Sequence, residues 1–210
     1  MDNPVIIFGA NGLGKAVHDV FTSNGVVVYG FLDDDKALHG NEIKDIFVLG
    51  STDDDGFLKL IGKKCEAVIA VDDNKLKKSL VEMLKKRRKM MPVNAIHKST
   101  IISESANLGH GNIINAGTVV GANVVVGNHC ILHSNTTIDF ESSLGDFVQV
   151  GAGSIINTGV TIDDEVFVGS GVTIISGVNV GKGARIGAGS VVIADVKKGQ
   201  TVFGNPAKAL

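Results

Sequence analysis

The run Gly9-Ala10-Asn11-Gly12-Leu13-Gly14-Lys15 follows four apolar residues, Val5-Ile6-Ile7-Phe8, and opens a helical stretch, an arrangement that can aim backbone N–H groups at an anion. It also fits G-x-x-x-x-G-K, but Ala16 stands where a P-loop carries the Ser or Thr that holds Mg²⁺, which argues against ATP hydrolysis. A plainer reading is a tight strand-to-helix connection. Ligand binding by Gly9, Asn11, Gly12 and Leu13 is favoured over it. Asp33 and Asp34 end a second apolar run, where an α/β sheet places carboxylates on a nucleoside, and a solvated acidic turn is the alternative. His110, His129 and His133 invite comparison with a zinc site. They fall two, three and one residues after Leu108, Val126 and Leu132, so they share no row and cannot converge on one ion; no metal is expected. The run Lys85-Lys86-Arg87-Arg88-Lys89 closes a helical pattern, where cations complement the helix dipole, and a solvated helix end is favoured over a nucleic-acid patch.

The composition bounds what such groups can serve. With 210 residues, 44% of them hydrophobic and 20% charged, the chain can build one or two domains with real cores. A balance of 20 basic against 22 acidic residues removes the broad positive footprint of a nucleic-acid binder, so the expected ligands are small. No apolar run approaches the roughly 18 residues of a membrane span, and the opening Asp2 and Pro4 do not read as a signal segment, so a cytoplasmic protein is expected. Cys65 and Cys130 lack CxxC spacing and read as buried free thiols.

Two grammars divide the chain near residue 98. Residues 1–98 hold 9 of the 27 glycines and most of the charge. Strands are expected at 5–8, 26–32, 47–49 and 67–71, with helices at 15–24 and 75–89, the latter spaced through Leu76, Leu80 and Leu84. This alternation gives a small Rossmann-like α/β domain. From residue 102, every sixth position through Val192 is aliphatic, sixteen in succession. Such a run is internal repetition and predicts a parallel β-helix in residues 99–210, with about five triangular coils of eighteen residues. Small residues two places earlier are expected at tight corners, and a glycine after the aliphatic residue to supply backbone freedom. Val124, Val148, Val160, Val166 and Val172 are expected on the outer sides, as a surface for lateral packing.

Three passages together resemble the sialic acid O-acetyltransferases and UDP-amino-sugar N-acetyltransferases, the NeuD- or PglD-like family of the hexapeptide-repeat acyltransferases. They are Ile7–Lys15, then Phe31-Leu32-Asp33-Asp34-Asp35 with Gly40 and Val48-Leu49-Gly50, and the stretch from Ala95-Ile96-His97 to Val202-Phe203-Gly204-Asn205-Pro206-Ala207-Lys208. The resemblance implies a left-handed β-helix, a homotrimer, acetyl-CoA as acyl donor in the groove between neighbouring helices, and residues 1–98 as the sugar-nucleotide domain. An amine or hydroxyl of the sugar attacks the thioester carbonyl while a coil histidine takes the proton, and backbone N–H groups of the helix can stabilise the oxyanion. It also implies that Gln149, Ser170 and Ala188 contact the acyl-CoA. Contact of Lys85–Lys89 with CoA phosphates from another subunit stays open.

The chain departs from that pattern at the family's base. Ile138-Asp139-Phe140-Glu141-Ser142-Ser143-Leu144-Gly145-Asp146 aligns with the catalytic stretch and puts Phe140 at the histidine position; Gln149 replaces a second histidine, Leu13 a third, and Asp72 a glycine. Glu141 matches the acidic partner of the missing base, with a structural role as its alternative. Within 128–151 the imidazoles are His129 and His133, which leaves His133 as the candidate for the acceptor proton, against a solvent-facing role beside Leu132. Loss of the base tilts the chemistry toward amine acceptors, which are nucleophilic when neutral, or toward a binding protein without turnover.

Overall fold

The computed structural model describes residues 3–210, which divide between Lys98 and Ser99 into two compact units. In the first unit β1 (Val5–Phe8) leads to α1 (Gly12–Ser23) and β2 (Val28–Leu32). A hairpin of β3 (Glu42–Ile43) and β4 (Ile46–Gly50), a short helix α2 (Asp55–Leu58), β5 (Glu66–Ile69) and α3 (Asn74–Arg88) follow. The sheet order is β3-β4-β2-β1-β5; β1 runs parallel to both β2 and β5, and β2 parallel to β4. Every residue of β1 is buried, as a strand covered on both faces must be.

Two element starts differ from the sequence reading by two residues or more. Helix α1 starts at Gly12 rather than Lys15 because Asn11 Oδ1 accepts the N–H groups of Leu13 (3.0 Å) and Gly14 (3.2 Å), which caps the helix before the apolar spacing becomes visible. Strand β2 starts at Val28 rather than Val26, and Val27 is left 67% exposed. The expected strand at 47–49 is β4, while β3 and α2 have no counterpart in the sequence reading because they are short and carry no periodicity. On one side of the sheet Leu80 and Leu84 of α3 pack with Ile6, Phe8, Leu32, Leu58, Ile61 and Ile69; burying each such leucine contributes about 2 kcal/mol.

The second unit is a left-handed parallel β-helix with three faces. The first face stacks Ile101–Ile102, Val119–Val120, Thr137–Ile138, Ile155–Ile156, Thr173–Ile174 and Val191–Val192 in parallel register. The second stacks Asn107–Leu108, Val125–Val126, Ser143–Leu144, Thr161–Ile162 and Asn179–Val180. The third stacks Ile113–Ile114, Ile131–Leu132, Gln149–Val150, Phe167–Val168, Arg185–Ile186 and Thr201–Phe203. The sixth-position aliphatics are buried from Ile114 to Val192, while Ile102 and Leu108 in the first coil are half-buried.

The valines expected on the outer sides are inside. Val124, Val148, Val160, Val166 and Val172 are all 0% exposed. In extended backbone, positions two apart share a face, so the row two residues before each aliphatic also points inward. The same alternation explains the small polar residues of that row, which are buried rather than merely set at corners. Ser142 Oγ donates to Asn157 O (2.8 Å) and Ser154 Oγ to Gly169 O (2.9 Å), so each hydroxyl stitches its coil to the next.

Glycine after the aliphatic residue serves space, not conformation. A Cβ on Gly151 would lie 2.4 Å from Ser170 N of the next coil. The left-handed conformation falls two residues later, at positions such as Gly153 (φ 69°) and, without glycine, Asn135, Glu141 and Phe147.

Candidate functional site

In the first unit β1 lies between β2 and β5, so the chain reverses direction across it and leaves a crevice at the carboxyl ends of the strands, where open α/β sheets bind ligands. A cleft of about 60 Å³ opens there, lined by Gly9 after β1, Asp33 and Asp34 after β2, Thr52 after β4, Val71 after β5, and Leu76 and Leu80 of α3. Ligand sites commonly enclose roughly 300–1,000 Å³, so this cleft is the size of part of such a site and not the whole of one. Three of the six residues proposed from the sequence meet here. Asn11, Gly12 and Leu13 do not line the cleft; they form the cap and first turn of α1.

Sequence reading missed Thr52, Val71, Leu76 and Leu80. Leu76 carried a signal, since it occupies an apolar position of α3 yet is 44% exposed at the cleft. The two carboxylates are held by the backbone around them. Asp33 Oδ2 accepts Ala10 N–H (2.7 Å) and Oδ1 accepts Asp35 N–H (2.9 Å); Asp34 Oδ1 accepts both Thr52 N–H (2.9 Å) and Thr52 Oγ–H (2.8 Å). Asp33 is half-buried, whereas Asp34 stays exposed while its carboxylate holds Thr52. Gly9 and Gly14 are required by close approach, because a Cβ would lie 2.6 Å from Ala70 O at Gly9 and 2.0 Å from Gly9 O at Gly14.

In the β-helix, His133, Ser170 and Ala188 share the corner between the third and first faces. The register Leu132↔Val150↔Val168↔Ile186 puts His133 in the column of Gly151, Gly169 and Gly187, with Ser134, Ala152, Ser170 and Ala188 beside it. With about 4.8 Å between coils, His133 lies roughly 10 Å along the stack from Ser170. Among the described residues the N–H groups of Ser134, Ala152, Ser170 and Ala188 have no acceptor, and all but the half-buried Ser134 are exposed. The corner between the second and third faces differs. There the side chains of Asn128, Asp146 and Asp164 take the N–H groups of His110, Asn128 and Asp146 at 2.7–3.0 Å. One corner thus offers a row of free donors that can bind amide and thioester oxygens of an extended ligand.

Gln149 faces outward on the third face, followed one coil on by Phe167 and then by Arg185, whose guanidinium lies 4.7 Å from the Phe167 ring centre. Phe140 and Glu141 sit on the far edge of the first face, at its corner with the second. Phe140 is 46% exposed, its N–H is held by Asp139 Oδ1 (2.9 Å), and Asp139 Oδ2 accepts Thr158 Oγ–H (2.8 Å). Within one chain, the width of the first face separates His133 from Glu141. His129 is 3% exposed and packs its ring 5.0 Å from that of Phe147, a structural placement. Among the described residues no three His, Cys, Asp or Glu side chains gather as a metal site.

Residues 4–84 match the family model of the PglD N-terminal domain. PerB from Caulobacter crescentus, solved in complex with CoA and GDP-perosamine, is 28% identical with a TM-score of 0.90, over 100% of this chain and 98% of that one. The chain resembles the PglD-like acetyltransferases from end to end. The acetyltransferase domain of PglB from Neisseria gonorrhoeae FA1090, solved with acetyl coenzyme A, is 27% identical with a TM-score of 0.90, and each chain is covered in full. WeeI from Acinetobacter baumannii AYE is 26% identical with a TM-score of 0.87, over 99% of both chains. No curated protein sequence matches the chain. These matches extend over both units of this chain. No helix among the described residues is long and apolar enough to cross a membrane.

Proposed function

We propose that this protein is an acetyl-CoA-dependent N-acetyltransferase whose acceptor is an amino sugar carried on a nucleotide. The observation that carries the reading is the full-length likeness to PerB, a structure that holds both CoA and GDP-perosamine. The crevice at Gly9, Asp33 and Asp34 is the seat for the nucleotide sugar, and the corner of Ser170 and Ala188, with Gln149 on the adjoining third face, is the seat for acetyl-CoA. The neutral sugar amine attacks the thioester carbonyl. Corner N–H groups of the kind offered by Ser134 and Ala152 steady the oxyanion, the nitrogen loses its proton, and CoA leaves as the thiol. His133 is the proposed acceptor of that proton. Acetyl-CoA and nucleotide sugars are cytoplasmic metabolites, which is where this reading places the enzyme.

The same reading makes it a homotrimer. Outward positions of the first face hold Ile101 (66% exposed), Val119, Ile155 (44% exposed) and Val191, with Thr137 and Thr173 between them, a largely apolar stripe on the outside of one chain. Its two edges carry the Ser170 corner and the Phe140–Glu141 corner, so a neighbour packed on it brings the halves of the site together. A second reading rests on Phe140, which puts a phenyl ring at the position of the family's base: the chain binds both ligands and turns neither over. The test is thiol release from acetyl-CoA with a panel of UDP-, TDP- and GDP-linked amino sugars. Release with one acceptor supports the enzyme. Calorimetric binding of CoA and nucleotide sugar with no release supports the second reading.

A further inference from the structure

Charge in the first unit is segregated to an extent that neither ligand seat uses. Residues 59–89 hold eleven basic and four acidic residues, whereas the rest of the chain holds nine basic and eighteen acidic. Within that span, 59–64 and 85–89 contribute eight basic residues and no acid. The fold joins these two stretches into one patch. Arg88 donates to Ile61 O (3.1 Å from Nε, 2.8 Å from Nη2) and to Lys59 O (3.3 Å), and Met90 packs on Gly62. The patch lies at the amino end of β5 and the carboxyl end of α3, hence at the end of the sheet opposite the nucleotide crevice.

The two arginines are committed to the fold. Arg87 pairs with Asp55 and donates to Asp53 O, and Arg88 holds the 59–61 carbonyls. What remains for a partner is Lys59, Lys63, Lys64, Lys85, Lys86 and Lys89, all exposed and in no ion pair among the described residues. Lysines are flexible point charges without the planar fork that recognises a shaped partner, and they suit a diffuse field of negative charge. The two stretches contain no aromatic residue on which a nucleic-acid base could stack. Met91, 37% exposed at the edge of the patch, adds an apolar contact of the size that a lipid interface accepts.

We propose that this lysine end of the first unit docks the protein reversibly on anionic lipid membranes, with the nucleotide crevice facing away from the bilayer. Near an anionic surface each lysine strengthens binding about fivefold at physiological ionic strength, so a few of the six make docking measurable, and added salt screens it.

The experiment is cosedimentation of the full chain with vesicles of phosphatidylcholine alone or mixed with phosphatidylserine, across a salt series. Binding to the mixed vesicles only, weakened at least tenfold by salt and by the triple variant Lys63→Glu, Lys64→Glu, Lys86→Glu, is the expected result. A control triple reversal at Lys197, Lys198 and Lys208 should bind as the parent does, and thermal melts of both variants check that they fold. Equal binding to neutral vesicles, or docking unaffected by the 63/64/86 reversal, overturns the proposal. Salt-sensitive binding of duplex DNA without binding to the mixed vesicles reassigns the patch to nucleic acid and overturns it as well. None of these readouts depends on acetyl transfer, so docking stands or falls apart from the catalytic reading.

Discussion

Asp33 Oδ2 accepts the N–H of Ala10 at 2.7 Å and so fastens the turn after β1 to the end of β2. Its other oxygen holds Asp35 N–H, and the pair of bonds shapes the floor of the crevice before any ligand arrives. Asp33→Ala strips an acceptor from two backbone donors, at a cost of about 1–3 kcal/mol. Urea unfolding should show that loss, with nucleotide-sugar affinity falling further than stability explains. An unchanged midpoint would mean that water replaces the carboxylate at no cost.

Two glycines of the β-helix should respond differently to the same substitution. Gly169→Ala drives a Cβ to 2.5 Å from Ala188 N, where backbone cannot yield, and should cost about 3 kcal/mol or more or prevent folding. Gly153→Ala meets nothing within 4 Å and bears only the left-handed backbone penalty of about 1–2 kcal/mol. Thermal melts of the two variants rank them, and equal losses would contradict the close-approach argument.

If His133 takes the acceptor proton, His133→Asn should lower turnover ~100-fold and leave acetyl-CoA affinity nearly unchanged. A rise in KM at constant kcat would assign it to positioning instead. Phe140→His returns an imidazole to the opposite edge of the first face. In a trimer it should raise turnover and add an inflection near pH 6.5 to the rate profile. No gain would mean that this scaffold needs no imidazole at that edge.

Ile155→Glu places a charge in the middle of the exposed stripe of the first face without entering the coil interior. Sedimentation equilibrium should find three chains for the parent and a shift to one for the variant, with loss of activity because the halves of the site separate. A parent mass of one chain at micromolar concentration would remove the trimer.

Lys44 of the β3–β4 hairpin reaches back to Asp19 of α1, and its hydrogen bond holds the Asp19 carboxyl below the usual carboxylate range. A depressed folded pKa makes the contribution fully present above the unfolded value of about 3.9 and lost as pH falls through the folded one. Both side chains are largely open to solvent, so Lys44→Ala should change stability only slightly at pH 7. The difference from the parent should shrink in melts at progressively lower pH and vanish once the folded Asp19 carboxyl is protonated.

The sixteenfold aliphatic repeat determined the solenoid by itself, because a period that never breaks leaves one way to bury it. The alternation of β1, α1, β2, β5 and α3 was equally local, carried by apolar runs and the glycine turn. Asp33 and Asp34 were recognisable as the end of β2, but their bonds to Ala10, Asp35 and Thr52 depend on three loops that meet only in the folded sheet. The buried valines were misassigned although the rule that places them is local: residues two apart in a strand share a face, and a six-residue side therefore turns two side chains inward. What only the tertiary structure decided is which corner of the triangle is chemically open. The two corners that flank the third face have similar glycine-rich sequence. Asn128, Asp146 and Asp164 close one by reaching eighteen residues along the chain to the coil beside them, and no such side chain stands over Ser170 and Ala188. That contact runs between neighbouring coils, so it exists only once the coil spacing and register of the stack bring a side chain over the donor it covers.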